Sequence, residues 1–404
     1  MQKRVRRRYA AERRFRLLGL GAVGISVLFL VFLLFTMASK GLGGFVHYEG
    51  ALPIDFTKTD LFLDPSVLRG PDAAQAVAGA DLEGAIASAA VAAYGPAGTE
   101  MFGDGAVTSL TRQITADPDM LTGKPRLWLP LSSSLDIAAK HGGDSTAERA
   151  VALLESRDSL RSRFNLNFLT ASDSTDPSSV GVWGALKGSF LTILVTMILA
   201  FPVGVLAAVY LEEFAPRNRW TDAIEVSINN LAAVPSIIFG LLGLAVFLNV
   251  MNLPRSAPLV GGLTLALMTM PVIVIAGRNA IKSVPPSIRD AALGVGASKM
   301  QVTFHHVLPL ALPGIMTGTI IGMARALGET APLLMIGMRA FIAAPPGGIA
   351  DPATVLPVQI FLWSDEVDRG FVEKTSAAII VLLVFMLMMN GLAIYLRNRF
   401  ERRW

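Results

Sequence analysis

An arginine and a glutamate lie four residues apart in an apolar stretch near the end of the chain. Arg325 and Glu329 fall in residues 313–338, a segment apolar and long enough to cross a membrane. Side chains at this spacing share one face of a helix and can pair. Ionised groups near the middle of a span are costly unless they face a partner or a watery cavity, so the pair indicates a functional site. The alternative is a structural ion pair that fixes the helix register.

The chemistry that fits this pair is recognition of a tetrahedral oxyanion. The planar guanidinium of Arg325 can donate two parallel hydrogen bonds to phosphate-like oxygens. Glu329 can pair with that guanidinium when no substrate is bound. It can also accept a hydrogen bond from a protonated anion, which favours phosphate over fully ionised sulfate. Thr330 adds a hydroxyl beside the pair. Asn230, in another apolar span, either lines the same pathway or forms hydrogen bonds between helices.

Composition places the chain in a membrane. Its 404 residues are 52% hydrophobic and only 16% charged, which is too apolar for an ordinary soluble domain. The absence of cysteine excludes disulfides and thiolate metal sites, and the four histidines show no ligand spacing beyond the adjacent His305 and His306. We therefore expect no cofactor bound directly to the chain, and no nucleic-acid partner. No G-x-x-x-x-G-K-[ST] motif occurs, so any ATP and Mg²⁺ must be bound by a partner.

Charge is distributed unevenly along the first half of the chain. Residues 1–16 carry eight Lys or Arg and one Glu, a net charge of +7, whereas residues 39–180 carry eleven basic and eighteen acidic residues, a net charge of −7. The apolar run at 17–38 between them predicts a first membrane helix with a cytoplasmic N-terminus. A signal peptide is the competing interpretation, but the run is longer than a usual h-region and residues 36–38 form a poor cleavage site.

The acidic segment at 39–180 is long enough for a small folded domain and is predicted to lie in the periplasm. Residues 81–94 predict a helix, residues 126–131 a strand, and residues 145–163 a helix capped by its first residue. No nucleophile elbow or metal-ligand spacing occurs in it. We expect an α+β insert with a structural or partner-contacting role.

From residue 181 onward the pattern changes to repeated apolar spans. With the first span they predict an all-α membrane protein of six transmembrane helices, with a transmembrane domain at 181–404. Counting the crossings places both termini and the basic loop at 277–312 in the cytoplasm, as the positive-inside rule requires. The five spans of this domain are predicted at 189–211, 224–250, 259–276, 313–338 and 376–396.

Residues 285–309 form a polar insertion within this domain. Ser287 and Ser298 each precede an Asp or Gln by three residues, the spacing of a helix N-cap, which predicts two short helices. Gly296 permits a sharp turn between them, and the second helix is expected to stop before Pro309. Such an element outside the bilayer is a docking surface. The alternative is an ordinary capped loop between membrane helices.

The same insertion resembles the EAA loop of ABC importer permeases. The match consists of Asp290-Ala291-Ala292, a glycine at 296 and the Leu308-Pro309 pair at the family spacing. It departs from the family at Asp290, where Glu is usual, and at His306, where an aliphatic residue is usual. In that family the loop fits a cleft in a separate ATPase. The resemblance thus implies ATPase-coupling residues Asp290, Ala291, Ala292, Gly296, Ser298, Leu308 and Pro309.

Three further motifs resemble the permeases of phosphate-specific ABC importers. They are Arg-Ala-Leu-Gly-Glu-Thr-Ala-Pro at 325–332, Asn-Leu-Asn-Phe-Leu-Thr at 165–170 and Val-Pro-Ser-Ile-Ile-Phe-Gly at 234–240. The resemblance extends from residue 164 to the C-terminus and implies alternating-access import of inorganic phosphate across a bacterial inner membrane. It also implies a homologous second permease, two cytoplasmic ATPase subunits and a periplasmic phosphate-binding protein. The first span and the insert resemble an N-terminal extension of this permease.

Other functions remain open from the residues alone. Arginine recognises all tetrahedral oxyanions, so a sulfate or molybdate importer is an alternative. A secondary carrier should carry inverted repeats with matching broken helices, which the sequence does not show. A membrane-anchored sensor with the insert as its receptor would leave the spans after residue 181 unexplained.

Overall fold

The computed structural model describes residues 2–59, 61, 63–70 and 73–400, with the side chains of residues 2–7, 74 and 400 left aside. Residues 401–404 of the predicted cytoplasmic tail lie outside the described residues. The first described element is α1 (Gln2–Gly41), one unbroken helix that contains the basic N-terminal cluster as well as the predicted first span. Its membrane-spanning window has a mean hydropathy of 2.7 and buries none of its surface in the chain. Close contact begins at its end, where Gly41 meets Ser376.

The insert is built around a three-stranded antiparallel sheet. Strands β1 (Val46–Pro53), β2 (Arg126–Pro130) and β3 (Leu160–Phe164) lie in the order β2-β1-β3. The structure confirms the predicted strand at β2. β1 was missed because its Gly and Pro interrupt the alternation of apolar residues that identifies a strand. One face of the sheet buries Leu52, Leu127 and Leu129 in the core of the insert.

Short helices complete the insert around this core. The predicted helix at 81–94 is present and is capped by Asp81, whose carboxylate accepts a hydrogen bond of 2.8 Å from the Gly84 amide. The predicted helix at 145–163 was wrong at both ends: Asp144 is its N-cap, and it stops at Ser156 because the chain turns into β3 through Asp158, whose φ is 48°. The helices are α2 (Pro65–Leu68), α3 (Ala73–Ala78), α4 (Leu82–Tyr94), α5 (Asp104–Ala116), α6 (Ser133–His141), α7 (Ser145–Ser156) and α8 (Leu166–Thr170).

After the insert the described chain is mostly helical, with a loop at 339–355. Counting α1, five helices of the described chain, or six if one bent pair counts as a span, are long and apolar enough to cross a membrane. Together with the α+β insert they agree with the predicted fold class. The helices are α9 (Trp183–Val209), α10 (Arg219–Ala232), α11 (Ser236–Gly243), α12 (Pro258–Lys282), α13 (Pro286–Gly294), α14 (Lys299–Gln301), α15 (Leu308–Gly328), α16 (Ala331–Met335), α17 (Leu356–Ser364) and α18 (Gly370–Phe400).

Two of the predicted spans are broken. The span predicted at 224–250 bends by 100° between α10 and α11. Pro235 has no N–H to donate to the Leu231 carbonyl, and a residue before proline avoids the helical region, so the helix must stop there. The span predicted at 313–338 ends at Gly328 for the same reason, since Pro332 cannot donate to the carbonyl of Gly328.

Glycines bring α9 and α12 into close contact. A Cβ at Gly262 would lie 2.5 Å from Val195, and a Cβ at Gly204 would lie 2.8 Å from Ile273. The Thr196 hydroxyl donates a hydrogen bond of 3.2 Å to the Gly262 carbonyl across the same interface. Small residues and interhelical hydrogen bonds of this kind hold membrane helices together where hydrophobicity cannot. The two helices therefore form the rigid centre of the membrane domain.

The insert is joined to the last membrane helix by buried charge. The Lys140 ammonium contacts Asp136 at 2.7 Å and Glu373 of α18 at 3.0 Å. Lys374, 4% exposed, donates a hydrogen bond of 3.2 Å to the Gly44 carbonyl at the entrance to β1. Because buried charges require partners, these contacts fix the insert on α18.

Replacing Gly262 with alanine tests the α9–α12 contact. We expect Gly262→Ala to lower the free energy of unfolding by about 1–3 kcal/mol, because its Cβ would collide with Val195 in a packed interface. The measurement is thermal unfolding of the purified chain in detergent. Gly391→Ala in α18 is the matched control, because its Cβ would meet nothing within 4 Å. Equal unfolding temperatures for the two variants would contradict the assigned contact.

Candidate functional site

The predicted anion-binding pair lies at the open end of a broken helix. Arg325 is in the last turn of α15, and Glu329 follows the helix end, with 3.4 Å between the Arg325 Nε and the Glu329 Oε1. The arginine side chain is 50% exposed and the glutamate side chain 18% exposed. The prediction that both sit near the middle of a continuous span was wrong, since Pro332 ends the helix before Glu329. The pair is therefore reachable without crossing packed protein.

The surrounding residues hold this helix end in place. Ala326 and Leu327 are buried in the membrane core, so Arg325 lies on the opposite, open side of the turn. Gly240 of α11 packs directly against Pro332, where a Cβ would lie 2.6 Å from the proline Cα. Two of the motifs recognised in the sequence, 234–240 and 325–332, thus meet in space. Each helix break supports the other.

Chemically, this arrangement offers one exposed guanidinium beside one carboxylate. The 3.4 Å separation is a loose ion pair, because charge-assisted N–H···O bonds are usually 2.7–2.9 Å. A loose and half-exposed pair can release the guanidinium to an anion at small cost. A Cβ at Gly328 would meet nothing within 4 Å, which leaves room beside the pair.

The other two predicted substrate-binding residues lie differently. Thr330 is partly buried between Glu329 and α16, and its carbonyl accepts the first hydrogen bond of that helix from Leu334. Asn230 is exposed on α10, on the far side of the 100° bend. Within the described part of the chain no hydrogen bond joins the side chain of Asn230 to Arg325, Glu329 or Thr330. The structure brings three of the four residues into one segment.

The polar insertion, here called the coupling segment (residues 285–309), has one predicted cap and lacks the other. Ser298 and Gln301 form a reciprocal capping box, with bonds of 2.8 Å and 3.3 Å. Gly296 has a φ of +90°, a conformation that favours glycine, and makes the predicted turn. Ser287 is not an N-cap: α13 begins at Pro286, because a proline at the first helical position needs no hydrogen-bond partner for its nitrogen.

The predicted helix stop before Pro309 was wrong. From the Ser298 cap the chain runs through a π turn at Val302–Val307 directly into α15, so residues 299–328 form one helical span. The π turn shifts the hydrogen-bond ladder just before Pro309, so the continuous helix accommodates the missing N–H of this proline. Leu308 and Pro309 are thus part of a membrane-crossing helix.

The motif residues of the coupling segment divide between a buried and an exposed face. Ala292 is buried against a cluster that includes Val209, Ile281 and Val302, at the ends of α9 and α12. Asp290 and Ala291 are exposed. The exposed face also carries apolar side chains, and Val295 at the turn is 87% exposed. One face thus anchors the segment to the membrane helices, and the other leaves apolar side chains exposed.

An arginine that the motif reasoning did not single out holds the segment to two helices. The guanidinium of Arg289 contacts the Glu213 carboxylate at 2.8 Å and donates hydrogen bonds to the carbonyls of Ile281 (2.9 Å) and Val284 (2.7 Å). It therefore bridges two chain segments: it donates to one carbonyl of the last turn of α12 and one just beyond it, and it pairs with the π turn that follows α9. The only sequence signal was the mixed charge of the loop after α9.

A second arginine extends this network to the broken span. Arg278 of α12 contacts Glu225 of α10 at 2.8 Å and Glu212 at 3.4 Å. Lys282 lies 3.6 Å from Glu212. The acids of the loop after α9 are thus paired with the bases of the coupling segment and of the helix that precedes it. Together these pairs join three membrane helices at the end where the segment is docked.

Comparison with known families divides the chain in two. Residues 185–403 match the family model described as binding-protein-dependent transport system inner membrane component. Residues 2–149 match a domain of unknown function, DUF3333. The division agrees with the architecture, since the first model covers the membrane domain and the second covers α1 and most of the insert.

Individual relatives match the membrane half. A probable ABC transporter permease protein, YqgI, of Bacillus subtilis is 34% identical over 43% of this chain and 58% of its own length. The phosphate transport system permease protein PstA 1 of Mycobacterium tuberculosis H37Rv is 35% identical over 39% of this chain and 50% of its own length. PstA of Haemophilus influenzae is 30% identical over 55% of this chain and 78% of its own length. The chain thus spans little more than half of the first two relatives.

Among solved structures, the inward-facing MetNI methionine ABC transporter aligns over 55% of this chain and 95% of its own, with a TM-score of 0.42 and 19% identity. The family model by itself covers more than half of the chain, including the coupling segment, the Arg325–Glu329 pair and every span after the insert. The chain therefore belongs to the family of binding-protein-dependent transport system inner membrane components, as a multi-pass membrane protein.

Proposed function

We propose that this chain is the permease subunit of an ATP-driven ABC importer that moves inorganic phosphate from the periplasm to the cytoplasm by alternating access. The observation that carries this proposal is the single helical span at residues 299–328. It begins at the capped coupling segment and ends beside the Arg325–Glu329 pair. At 1.5 Å per residue it is about 45 Å long, enough to cross the bilayer. An event at one end can thus reach the other through one rigid element.

The coupling segment is the proposed docking site for a cytoplasmic ATPase. Its apolar exposed face suits the core of an interface, and its buried face rests on α9 and α12. ATP and Mg²⁺ belong to the ATPase in this proposal, with two such subunits in the complete importer. The basic residues before the first span and the basic loop at 277–312 support an orientation with both termini in the cytoplasm of a bacterial inner membrane.

The proposed substrate follows from the pair and from the relatives. Several relatives are named phosphate transport permeases, and the Arg325 guanidinium suits a tetrahedral oxyanion. Hydrogen phosphate still has a hydroxyl to donate at neutral pH, whereas sulfate has none. Glu329 can accept that hydrogen bond, which offsets its repulsion of the anion; sulfate offers no such bond, and the site therefore favours phosphate over sulfate.

The exposure of the pair supports a second permease subunit. Arg325 is half exposed in the single chain, and no residue of α10 is buried. An ionised group in a transmembrane pathway needs a closed, hydrated cavity, which one chain with an open face does not provide. A homologous subunit facing Arg325 and α10 would enclose the pathway. A periplasmic phosphate-binding protein would deliver the anion to its outer end.

Uptake measurements test the anion site. Arg325→Ala should reduce the initial rate of labelled phosphate uptake by roughly ten- to a hundredfold, since a hydrogen bond to a charged group contributes about 1.5–3 kcal/mol. Glu329→Ala should reduce uptake and narrow the preference for phosphate over sulfate. The matched controls are Arg255→Ala and Glu366→Ala, at exposed residues outside the 325–332 motif. Normal uptake by both site variants at normal protein levels would contradict the assignment.

Co-purification tests the docking face. Val295→Asp should abolish recovery of the ATPase with the tagged permease, because a charge on the 87% exposed apolar turn would be desolvated in the interface. The unfolding temperature of the permease itself should not change. Val367→Asp, at a 97% exposed valine near the start of α18, is the control. Equal ATPase recovery with both variants would exclude this surface as the docking face.

Loss of the Glu213–Arg289 pair should separate docking from force transmission. In Glu213→Gln the ATPase should still co-purify and hydrolyse ATP, because the exposed face is unchanged. Phosphate uptake, however, should fall. The measured quantity is phosphate transported per ATP hydrolysed in proteoliposomes. Glu366→Gln, far from the segment, serves for comparison. An unchanged ratio would show that the pair does not transmit force.

A further inference from the structure

One face of the insert sheet concentrates positive charge in a segment that is acidic overall. The strand register places His47 beside Arg163 and Glu49 beside Arg161, so these four side chains share one face. The other face is the apolar core. Arginines gathered on one surface of a segment with a net charge of −7 make a local positive site, which attracts anions.

Glu49 is the one carboxylate among these four side chains, and it is already paired. Glu49 contacts Arg161 at 2.5 Å and His47 at 3.2 Å. Burial by itself would raise the pKa of Glu49, but the hydrogen bonds from His47 and Arg161 outweigh it, and the pKa is lowered. Arg161 also stacks on Trp128, 4.2 Å from the ring centroid. Glu49 is thus ionised and held by Arg161 and His47, so its charge is already compensated where it lines a cleft along this face.

A cleft of about 170 Å³ lies along this face, between the sheet, α5 and the start of α8. Arg112 of α5 and Arg163 of β3 line it. Among the described residues, neither arginine forms an ion pair or a side-chain hydrogen bond. The hydroxyls of Thr108 and Ser109 line the same cleft. Its size suits an anion of a few heavy atoms better than a peptide or a nucleotide.

Two amides border this cleft, and one of them has a free donor. Asn165, 2% exposed, accepts a hydrogen bond of 3.0 Å from the Phe168 amide through its Oδ1, which leaves its Nδ2 without an acceptor among the described residues. Asn167 donates through Nδ2 to the Ser179 carbonyl at 3.0 Å, and its Oδ1 is buried away from the cleft. The Nδ2 of Asn165 is therefore the amide group that can serve an anion here.

We propose that this cleft binds a small oxyanion of the phosphate class. Arg112, Arg163 and the Nδ2 of Asn165 provide donors for the anion oxygens. This site lies in the insert, apart from the Arg325–Glu329 pair, and goes beyond the transport function. His47 and Asn165 also border Lys374 of α18 in an adjoining cavity, so bound anion would contact residues next to the last membrane helix.

Calorimetric titration of the full-length chain with inorganic phosphate tests the proposal. It is carried out in detergent on the Arg325→Ala variant, so that the pair in the membrane domain cannot contribute. We expect saturable binding that weakens at least tenfold in the added double substitution Arg112→Gln, Arg163→Gln. Arg149→Gln, at an exposed arginine of α7, is the matched control and should bind normally.

The outcomes separate this proposal from the transport function. No saturable phosphate binding, or equal affinity with and without the two arginines, would overturn the site even if uptake depends on Arg325. Both arginines are exposed, so the double variant should unfold at the same temperature as its parent, and circular dichroism checks that the insert remains folded.

Discussion

The contact on which the membrane domain depends is the seating of the coupling segment by Arg289. One guanidinium donates to the carbonyls of Ile281 and Val284 at the end of α12 and pairs with Glu213 in the π turn that follows α9. Without it, a mostly buried carboxylate would lose its partner, at a cost of several kcal/mol. Because a single tight turn at Gly296 joins α13 to the helical span that begins at Lys299, the position of Arg289 restricts where that long helix begins.

Rigidity and openness are distributed differently over the membrane domain. α9 and α12 meet through glycines and threonines, and their contact leaves no space for a side chain at Gly262. The broken elements, α10 with α11 and α15 with α16, lie around this centre and meet where Gly240 touches Pro332. A fixed pair of helices beside two broken spans gives the bundle a stationary part and a part whose breaks can change angle.

Sequence reasoning found the membrane class, the insert and the capping box because each depends on local chemistry. Apolar length predicts a span, and the Ser298–Gln301 spacing predicts a cap wherever the segment lies in the fold. It failed where the outcome depended on distant contacts or on competing local effects. Pro309 was predicted to end a helix, but a π turn accommodates it, whereas Pro332 was not recognised as the residue that ends α15. The partners of Arg289 could not be found, since Glu213 lies 76 residues away in the chain.

The burial of the lysine at position 374 depends on a part of the chain that is far away in sequence. Its hydrogen-bond acceptor is the Gly44 carbonyl, more than three hundred residues earlier in the chain, and its aromatic neighbour Phe168 lies just beyond the insert sheet. Insert residues such as Asp136 and Asn165 line the cavity beside it. A permease cut back to its membrane half would lose these contacts together with the residues that cover the ammonium, which would return to water. The burial of residue 374 therefore requires that the insert be seated on α18.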